Sequence, residues 1–283
     1  MIVKTKGELE VLREGGRRLA RHVRTICEMV RPGVTPKQLE ERARAMVESD
    51  GDTLAFYGYG GKRDIPFPAG LCISVNDVIV HCPASESDAA FEDGDIVCVD
   101  FGIKHDGLFT DHAVTVIAAS EERSGRALSH TSSERRRKKR LLPIIAGVPK
   151  GKDDERLLSG TREALRDGIK AARVGNTIGH IGEAVERVAK KYNFGFPKNL
   201  GGHGVGRAVH EEPHIHNFGK GGEGAPIVEN MVLAIEPMMT LGSGELVLDA
   251  DGHSYRTRDG SRTAHFEHTV LITKNGAEIL TKE

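Results

Sequence analysis

Two aspartates, Asp100 and Asp111, lie in neighbouring apolar, β-branched runs that a short polar turn separates. This pattern predicts a β-hairpin. A turn at 105–106 places the two carboxylates directly opposite each other, a turn at 106–107 makes them diagonal neighbours, and in either register they share one face of the sheet. Two carboxylates this close resist ionisation unless a cation lies between them. The hairpin therefore favours a bound metal, with two solvated aspartates on an exposed face as the alternative.

Three further residues carry side chains that could bind the same metal. His203 lies in the glycine-rich run 201–206, where the backbone can approach a ligand closely. Glu236 ends a predicted apolar strand, and Glu267 lies among apolar neighbours in a strand predicted over 265–272. Buried carboxylates need a partner. Four carboxylates with one imidazole suit two divalent ions such as Mn, Fe(II), Co or Zn, and the absence of a cysteine ligand argues against a structural zinc. Two ions that share carboxylates activate water, so the set predicts a hydrolase.

The composition is that of an ordinary globular protein. The chain has 283 residues, 38% of them hydrophobic, and its 40 basic and 41 acidic residues give a net charge of -1. Such a balance provides no overall field that would attract nucleic acid or a membrane. The four cysteines are scattered without CxxC spacing, and the start of the chain has no continuous apolar stretch. We therefore expect a reduced, cytoplasmic protein without a membrane span.

Local signals predict two helices ahead of the hairpin. Thr5 and Glu8 have the spacing of a capping box in front of a helical apolar pattern that stops at 32–33. Thr35 then caps a second helix, which has proline at its first position and is predicted to end at about Ser49.

A loop and two short strands connect this second helix to the hairpin. Residues 54–70 are rich in glycine, proline and aromatic residues, which is typical of a loop that lines a pocket; a surface loop packed by its own aromatics is the alternative. Residues 72–81 are predicted to form two strands around an Asn-Asp turn, with His81 at the end of the second. By itself, a histidine in this position is more often structural.

The chain shows a weak internal repeat with an offset of 142 residues, in which a helix, a Gly-x-Thr corner and a second helix occur twice. The repeat predicts one catalytic domain, 1–283, made of two halves at about 1–119 and 157–283. Between them, residues 120–156 are interpreted as an insertion. It is basic, since residues 123–140 contain eight basic residues and one acidic residue.

Taken in order along the chain, the motifs resemble those of the type I methionine aminopeptidases. They are the two aspartates with ten residues between them, GGHGVG followed by HEEP, IEP, and a final FEH strand. The resemblance implies an α+β, pita-bread fold, with an antiparallel β core, flanking helices and an internal pseudo-twofold axis. It also implies that Asp111 and Glu267 bridge two divalent ions whose remaining ligands are Asp100, His203 and Glu236.

The resemblance further implies the catalytic roles. Glu236 would shuttle protons, His210 would stabilise the oxyanion together with one ion, and His81 would hold the scissile amide. The substrate methionine would contact both histidines and a pocket formed by Phe67, Cys72, Val209 and Tyr59. The chain departs from the family in three ways. His112 follows the second aspartate at a position where Ser or Thr is common, the loop before Cys72 is longer, and the chain has no tryptophan. These departures affect the expected shape of the pocket.

The resemblance also predicts the substrates and partners. We expect removal of N-terminal methionine from nascent polypeptides whose second residue is small. A monomer is expected, and the basic insertion could contact ribosomal RNA, the alternative being a solvated insertion. Two other functions are considered: an Xaa-Pro aminopeptidase or prolidase, and a non-catalytic binding module on the same fold. The motifs around His203 and the presence of all five candidate ligands favour the methionine aminopeptidase.

Overall fold

The computed structural model describes residues 1–60, 65–120 and 151–282. Residues 121–150 of the predicted basic insertion lie outside the described residues, whereas residues 152–156 belong to a helix. Four α-helices occur in the described ranges: α1 (Lys6–Met29), α2 (Pro36–Ser49), α3 (Lys152–Ala171) and α4 (Ile178–Tyr192). None of these four has the length and hydropathy needed to cross a bilayer.

Both predicted helix starts in the first half are confirmed by reciprocal capping. The Thr5 hydroxyl accepts a hydrogen bond from the Glu8 amide, and the Glu8 carboxylate accepts one from the Thr5 amide. Thr35 and Gln38 make the same pair of bonds at the start of α2. These bonds satisfy amide groups that the first turn of a helix leaves without partners, so the sequence specifies these boundaries locally.

The predicted internal repeat is present in the backbone. The interval of 142 residues separates the end of α1 from the end of α3, and also the start of α2 from the start of α4. The corners match as well, because Gly33 and Gly175 have φ angles of +86° and +93°, a conformation that favours glycine. Thr177 is the N-cap residue of α4, as Thr35 is of α2, and the Thr177 amide donates to His180 Nδ1 at 3.0 Å. The two halves therefore share one helical framework.

The strands are mostly short and antiparallel. In the first half they are β1 (Thr53–Leu54), β2 (Leu71–Val75), β3 (Val78–Val80), β4 (Ile96–His105) and β5 (Leu108–Ile117). In the second half they are β6 (Gly201–Gly204), β7 (Glu211–His216), β8 (Val232–Ile235), β9 (Met238–Thr240), β10 (Leu246–Leu248), β11 (Tyr255–Thr257), β12 (Thr263–His265), β13 (His268–Thr273) and β14 (Gly276–Ile279). A 3-10 helix, Ala84–Glu86, follows β3.

Four antiparallel sheets form the β core of the described chain. β4 pairs with β5 on one edge and with β1 and β2 on the other, while the second half contributes a five-stranded sheet in the order β14-β13-β8-β6-β7. β3 joins β10 and β11, and β9 pairs with β12. One cluster of buried apolar side chains includes Leu19 and Ile26 of α1 together with Leu157 and Leu165 of α3, so the helices of both halves pack against a continuous core.

Candidate metal centre and active-site cavity

The hairpin that carries Asp100 and Asp111 adopts the diagonal register of the two considered. Asp106 and Gly107 form its turn, with φ angles of +42° and +88°, as a type I′ turn requires. Asp100 therefore pairs with Ala113, and Asp111 pairs with Gly102. Because side chains alternate along a strand, this register keeps both carboxylates on one face.

Glu236 and Glu267 lie at matching breaks in the second-half strands. The chain leaves β8 at Ile235 and enters β9 at Met238, and opposite this point it leaves β12 at His265 and enters β13 at His268. The prediction of one continuous strand over 265–272 was therefore wrong at 266–267. The reason is that β12 pairs with β9 whereas β13 pairs with β8 and β14, so the chain changes sheet between them.

His203 is positioned by β6, where it pairs with Ala234 of β8 and thus lies beside Glu236. Its Nδ1 donates a hydrogen bond to the carbonyl of Gly204 at 3.0 Å. Because the neutral ring carries a single proton, this bond leaves a lone pair on Nε2, which is the state that binds a metal.

A set of hydrogen bonds joins the two strands that carry Asp111 and Glu267. The Thr269 hydroxyl accepts a bond from the Asp111 amide and donates one to the Asp111 carbonyl, at 2.9 and 2.8 Å. His112 Nδ1 donates to the carbonyl of Glu267 at 2.5 Å, and its ring stacks on His268 at 4.7 Å. His112, noted above as a departure from the family, thus fixes β5 against the segment that carries Glu267.

The candidate ligands fall into two groups. Asp111, His203 and Glu267 have ligand atoms within 4.8 Å of one another, and Glu236, His265 and Glu267 form a second group by the same measure. Asp100 belongs to neither group, although it lines the same cavity. His265 was not proposed from the sequence; the available signal was its place two residues before Glu267.

The electrostatics of the cluster allow its carboxylates to ionise together only if a cation is bound. Asp100, Asp111 and Glu267 are buried, and the Glu236 side chain is 11% exposed. Burial, with repulsion from neighbouring carboxylates, raises the pKa of Asp111 to about 8, and the pKa values of Asp100 and Glu267 also lie well above their usual range. Burial alone does the same to the pKa of Glu236.

No side chain that the structure describes supplies a positive charge at the cluster. Among the described residues, neither lysine nor arginine lines the cavity, and Glu267 Oε1 is buried without a hydrogen-bond partner. Burial lowers the pKa of His203 to about 3, so this ring is neutral. An oxygen-rich cluster with an orphaned carboxylate oxygen and an imidazole lone pair fits divalent metal ions.

Next to the cluster lies a cavity of about 720 Å³. Five of the six residues predicted to bind substrate line it, namely Tyr59, Phe67, Cys72, His81 and His210. The sixth, Val209, is not among the lining residues but packs with Phe67 and Cys72 in a small buried apolar cluster.

Several lining residues were not proposed from the sequence, among them Ile65, Met238, His253 and Tyr255. Tyr255 belongs to β11, which reaches the cavity only through its pairing with β3. No local pattern indicates that long-range pairing.

The two predicted catalytic histidines have different environments. His81 directly follows β3 with a φ angle of +62°, an uncommon conformation for a residue other than glycine and one often found at functional sites. Burial, with the nearby His210, lowers the pKa of His81 to about 4. The ring of His210 meets that of His203 edge-on at 4.3 Å, and its Nδ1 lies 2.6 Å from the Tyr59 hydroxyl. Desolvation also lowers the pKa of His210.

The chain matches the model of metallopeptidase family M24 over residues 10–135 and 143–274, and it belongs to that family. The matched ranges contain all five candidate ligands, and the gap at 136–142 falls inside the range predicted as an insertion.

The most similar relatives include methionine aminopeptidases. The enzyme of that name from Aquifex aeolicus is 38% identical over 278 residues, covering 97% of this chain and 96% of that protein. The crystal structure of a methionine aminopeptidase from Thermotoga maritima has a TM-score of 0.85 at 34% identity and covers 100% of both chains. A prolidase from Pyrococcus horikoshii aligns with this chain at a TM-score of 0.69 and 19% identity, and the alignment covers 63% of the prolidase. This likeness shows a shared fold alone. The predicted pita-bread fold and the family resemblance are confirmed.

Proposed function

We propose that this chain has methionine aminopeptidase activity and removes the N-terminal methionine of polypeptides whose second residue is small. One observation carries the proposal: a buried cluster of four carboxylates and a neutral imidazole opens into the same cavity as an apolar, aromatic wall. The relatives named above support it, because the similarity extends over nearly the whole length of both chains.

The metal centre would consist of Asp100, Asp111, His203, Glu236 and Glu267, which would hold two divalent ions. When bound, such ions act as Lewis acids and make water a nucleophile at neutral pH. The donor set suits Mn, Fe(II), Co or Zn. The protein holds the segments that carry Asp111 and Glu267 together through Thr269 and His112, which fixes the relative position of these two carboxylates.

The remaining chemistry falls to three side chains. Glu236, at the edge of the cavity, would accept the proton of the attacking water and pass it to the leaving amine. A hydrogen bond from the Tyr59 hydroxyl to His210 Nδ1 leaves the proton of that ring on Nε2, the tautomer needed to donate to an oxyanion. His81, which lines the same cavity, would hold the scissile amide.

Substrate choice would follow from the apolar wall. Phe67 and Cys72 line the cavity, and Val209 packs against them from behind. The Phe67 ring also meets His253 edge-on at 5.5 Å, which gives the pocket an aromatic side despite the absence of tryptophan. An apolar wall of this kind suits one apolar side chain. The preference for a small second residue follows from the resemblance to the family and is part of the proposal.

The test is a comparison of Met-Ala-Ser, Met-Lys-Ser and Xaa-Pro peptides with protein of measured metal content. We expect Met-Ala-Ser to be cleaved at least about a hundredfold faster than the other two. Preference for Xaa-Pro peptides would instead assign the chain to the prolidase-like activity. A metal-loaded protein that cleaves none of them would be a binding module.

We further propose that the chain acts as a monomer in the cytoplasm on nascent chains, and that its basic segment contacts ribosomal RNA. The support is the local excess of seven positive charges in residues 123–140, which lie outside the described residues. Deleting 123–140 should leave Met-Ala-Ser hydrolysis nearly unchanged and weaken co-sedimentation with ribosomes in a salt-sensitive manner. Equal ribosome binding by the deleted and full chains at low salt contradicts the RNA contact.

A further inference from the structure

We propose that His265 is a positioning residue that holds Glu236 in place by donating a hydrogen bond from its Nε2 to Glu236 Oε2, a role that rests on the proposed function. The imidazole of His265 is 1% exposed, and its Nε2 lies 3.2 Å from Glu236 Oε2. Among the described residues, neither nitrogen of the His265 ring has a partner that meets both the distance and the angle of a hydrogen bond. A buried ring of this kind requires a partner, and Glu236 is the carboxylate within reach.

The backbone of His265 is fixed from both sides, so the ring has a defined position. Its amide donates to the Thr115 hydroxyl at 2.9 Å, and the same hydroxyl donates back to its carbonyl at 2.6 Å. The Cys98 thiol also points at that carbonyl, at 3.9 Å. With the main chain held by β4 and β5, the ring keeps its Nε2 within hydrogen-bonding distance of Glu236 Oε2.

The two oxygens of Glu236 face two imidazoles with different proton positions. Oε1 lies 3.4 Å from Nε2 of His203, which carries a lone pair because the proton of that ring is on Nδ1. Two lone pairs at this distance repel each other unless a proton or a metal ion lies between them, so Oε1 is the oxygen that faces the same site as His203 Nε2. His265 Nδ1 has no acceptor, so its proton can reside on Nε2 and bind Oε2.

The position of His265 relative to the cavity agrees with this assignment. Among the described residues, Glu236 and Glu267 line the cavity and His265 does not. The ring therefore lies behind Glu236, on the side away from substrate. A ligating carboxylate is commonly held by such a hydrogen bond, whose loss costs about 10- to 100-fold in metal affinity or activity.

The experiment compares His265→Leu, which removes the donor at similar size, with His265→Gln, whose side-chain amide can donate to the same oxygen. Binding of Mn²⁺ is measured by calorimetry, and kcat and KM are measured on Met-Ala-Ser. We expect His265→Leu to weaken the binding of one ion by about 10- to 100-fold and to lower kcat more than it changes KM, and His265→Gln to recover most of both losses.

His22 provides the matched control, because its ring is also 1% exposed and lies 2.9 Å from a carboxylate oxygen of Asp50, outside the metal centre. His22→Leu should lower thermal stability without changing metal affinity. Pulsed EPR of the manganese-loaded wild-type protein should show one coordinated imidazole.

Three results would overturn the proposal. Coupling of the manganese to two imidazoles would make His265 a direct ligand. Equal losses of metal affinity and kcat in the Leu and Gln variants would exclude the hydrogen bond. Unchanged metal affinity in both variants would exclude any role of His265 at the metal centre. Failure of the proposed function is distinguishable, because the wild-type protein would then bind metal without cleaving the peptide.

Discussion

Replacing Asp111 with asparagine should stabilise the metal-free protein while destroying its function. In the metal-free fold, burial and the neighbouring Glu236 raise the pKa of Asp111 from 3.8 to about 8. The carboxyl is therefore protonated in the folded chain at pH 7 and ionised in the unfolded chain. One pH unit corresponds to about 1.4 kcal/mol of protonation free energy. Because pH 7 lies about three units above the ordinary pKa of 3.8, keeping this carboxyl protonated lowers the free energy of unfolding by about 4 kcal/mol.

The sign of the pH dependence follows from the raised pKa. Folding favours the protonated carboxyl, so its contribution to stability is fully present below pH 3.8 and is lost as the pH rises towards 8. Asparagine keeps the shape, and its carbonyl can still accept the bond that the His112 amide donates to Asp111 Oδ1. Because neighbouring carboxylates share the repulsion, we expect Asp111→Asn to gain about 2–4 kcal/mol at pH 7 and less than half of that at pH 5.

The assay is thermal unfolding of chelator-treated protein at both pH values, repeated with saturating Mn²⁺. At pH 7 the variant should melt roughly 5–12 °C above the wild type without metal. Metal should reverse the order, since an ion at about 1,000 times its Kd stabilises the wild type by about 4 kcal/mol while the variant has lost a ligand. Peptide hydrolysis should be abolished.

Asp106→Asn is the matched control for this prediction. Asp106 lies in the turn of the same hairpin, its side chain is 75% exposed, and its φ of +42° suits asparagine. The control should change neither stability nor activity. A metal-free Asp111→Asn protein that is no more stable than the wild type at pH 7, or whose advantage does not shrink towards pH 5, would refute the reasoning.

Three further predictions concern the same centre. His210→Ala should lower kcat by about a hundredfold with little change in KM if His210 donates to the oxyanion, and a change confined to KM would exclude that role. Metal loading at pH 7 should release about one proton or more, because Asp111, with a pKa of about 8, must ionise to bind, and the release should decline above pH 8. Calorimetry in two buffers of different ionisation enthalpy measures the number of protons released. The absence of proton release at pH 7 would contradict the raised pKa of Asp111. Thr269→Val should destabilise the protein by about 1–3 kcal/mol and weaken metal binding, because it leaves the buried amide and carbonyl of Asp111 without their partner. Normal stability in chemical denaturation would show that the Thr269 hydroxyl is dispensable.

The sequence by itself determined the features that depend on neighbouring residues. The starts of α1 and α2 follow from Thr5 and Thr35, whose side chains bond amides three residues ahead. The β4–β5 hairpin follows from its alternating apolar runs, although its turn could be placed in two ways. The turn is at Asp106-Gly107, since aspartate and glycine tolerate the positive φ angles of a type I′ turn. Residue chemistry at these sites was also sufficient to select five candidate ligands.

Only the tertiary structure decided which distant residues meet. The break that places Glu236 opposite Glu267 exists because β8 pairs with β13 whereas β9 pairs with β12. No periodicity within residues 265–272 reveals that change of partner. Tyr59 reaches His210 across 151 residues of sequence, and His265 reaches Glu236 from the neighbouring segment of a two-stranded pair. Such contacts depend on long-range strand register, which is set by packing of the whole β core and not by the local pattern of either strand.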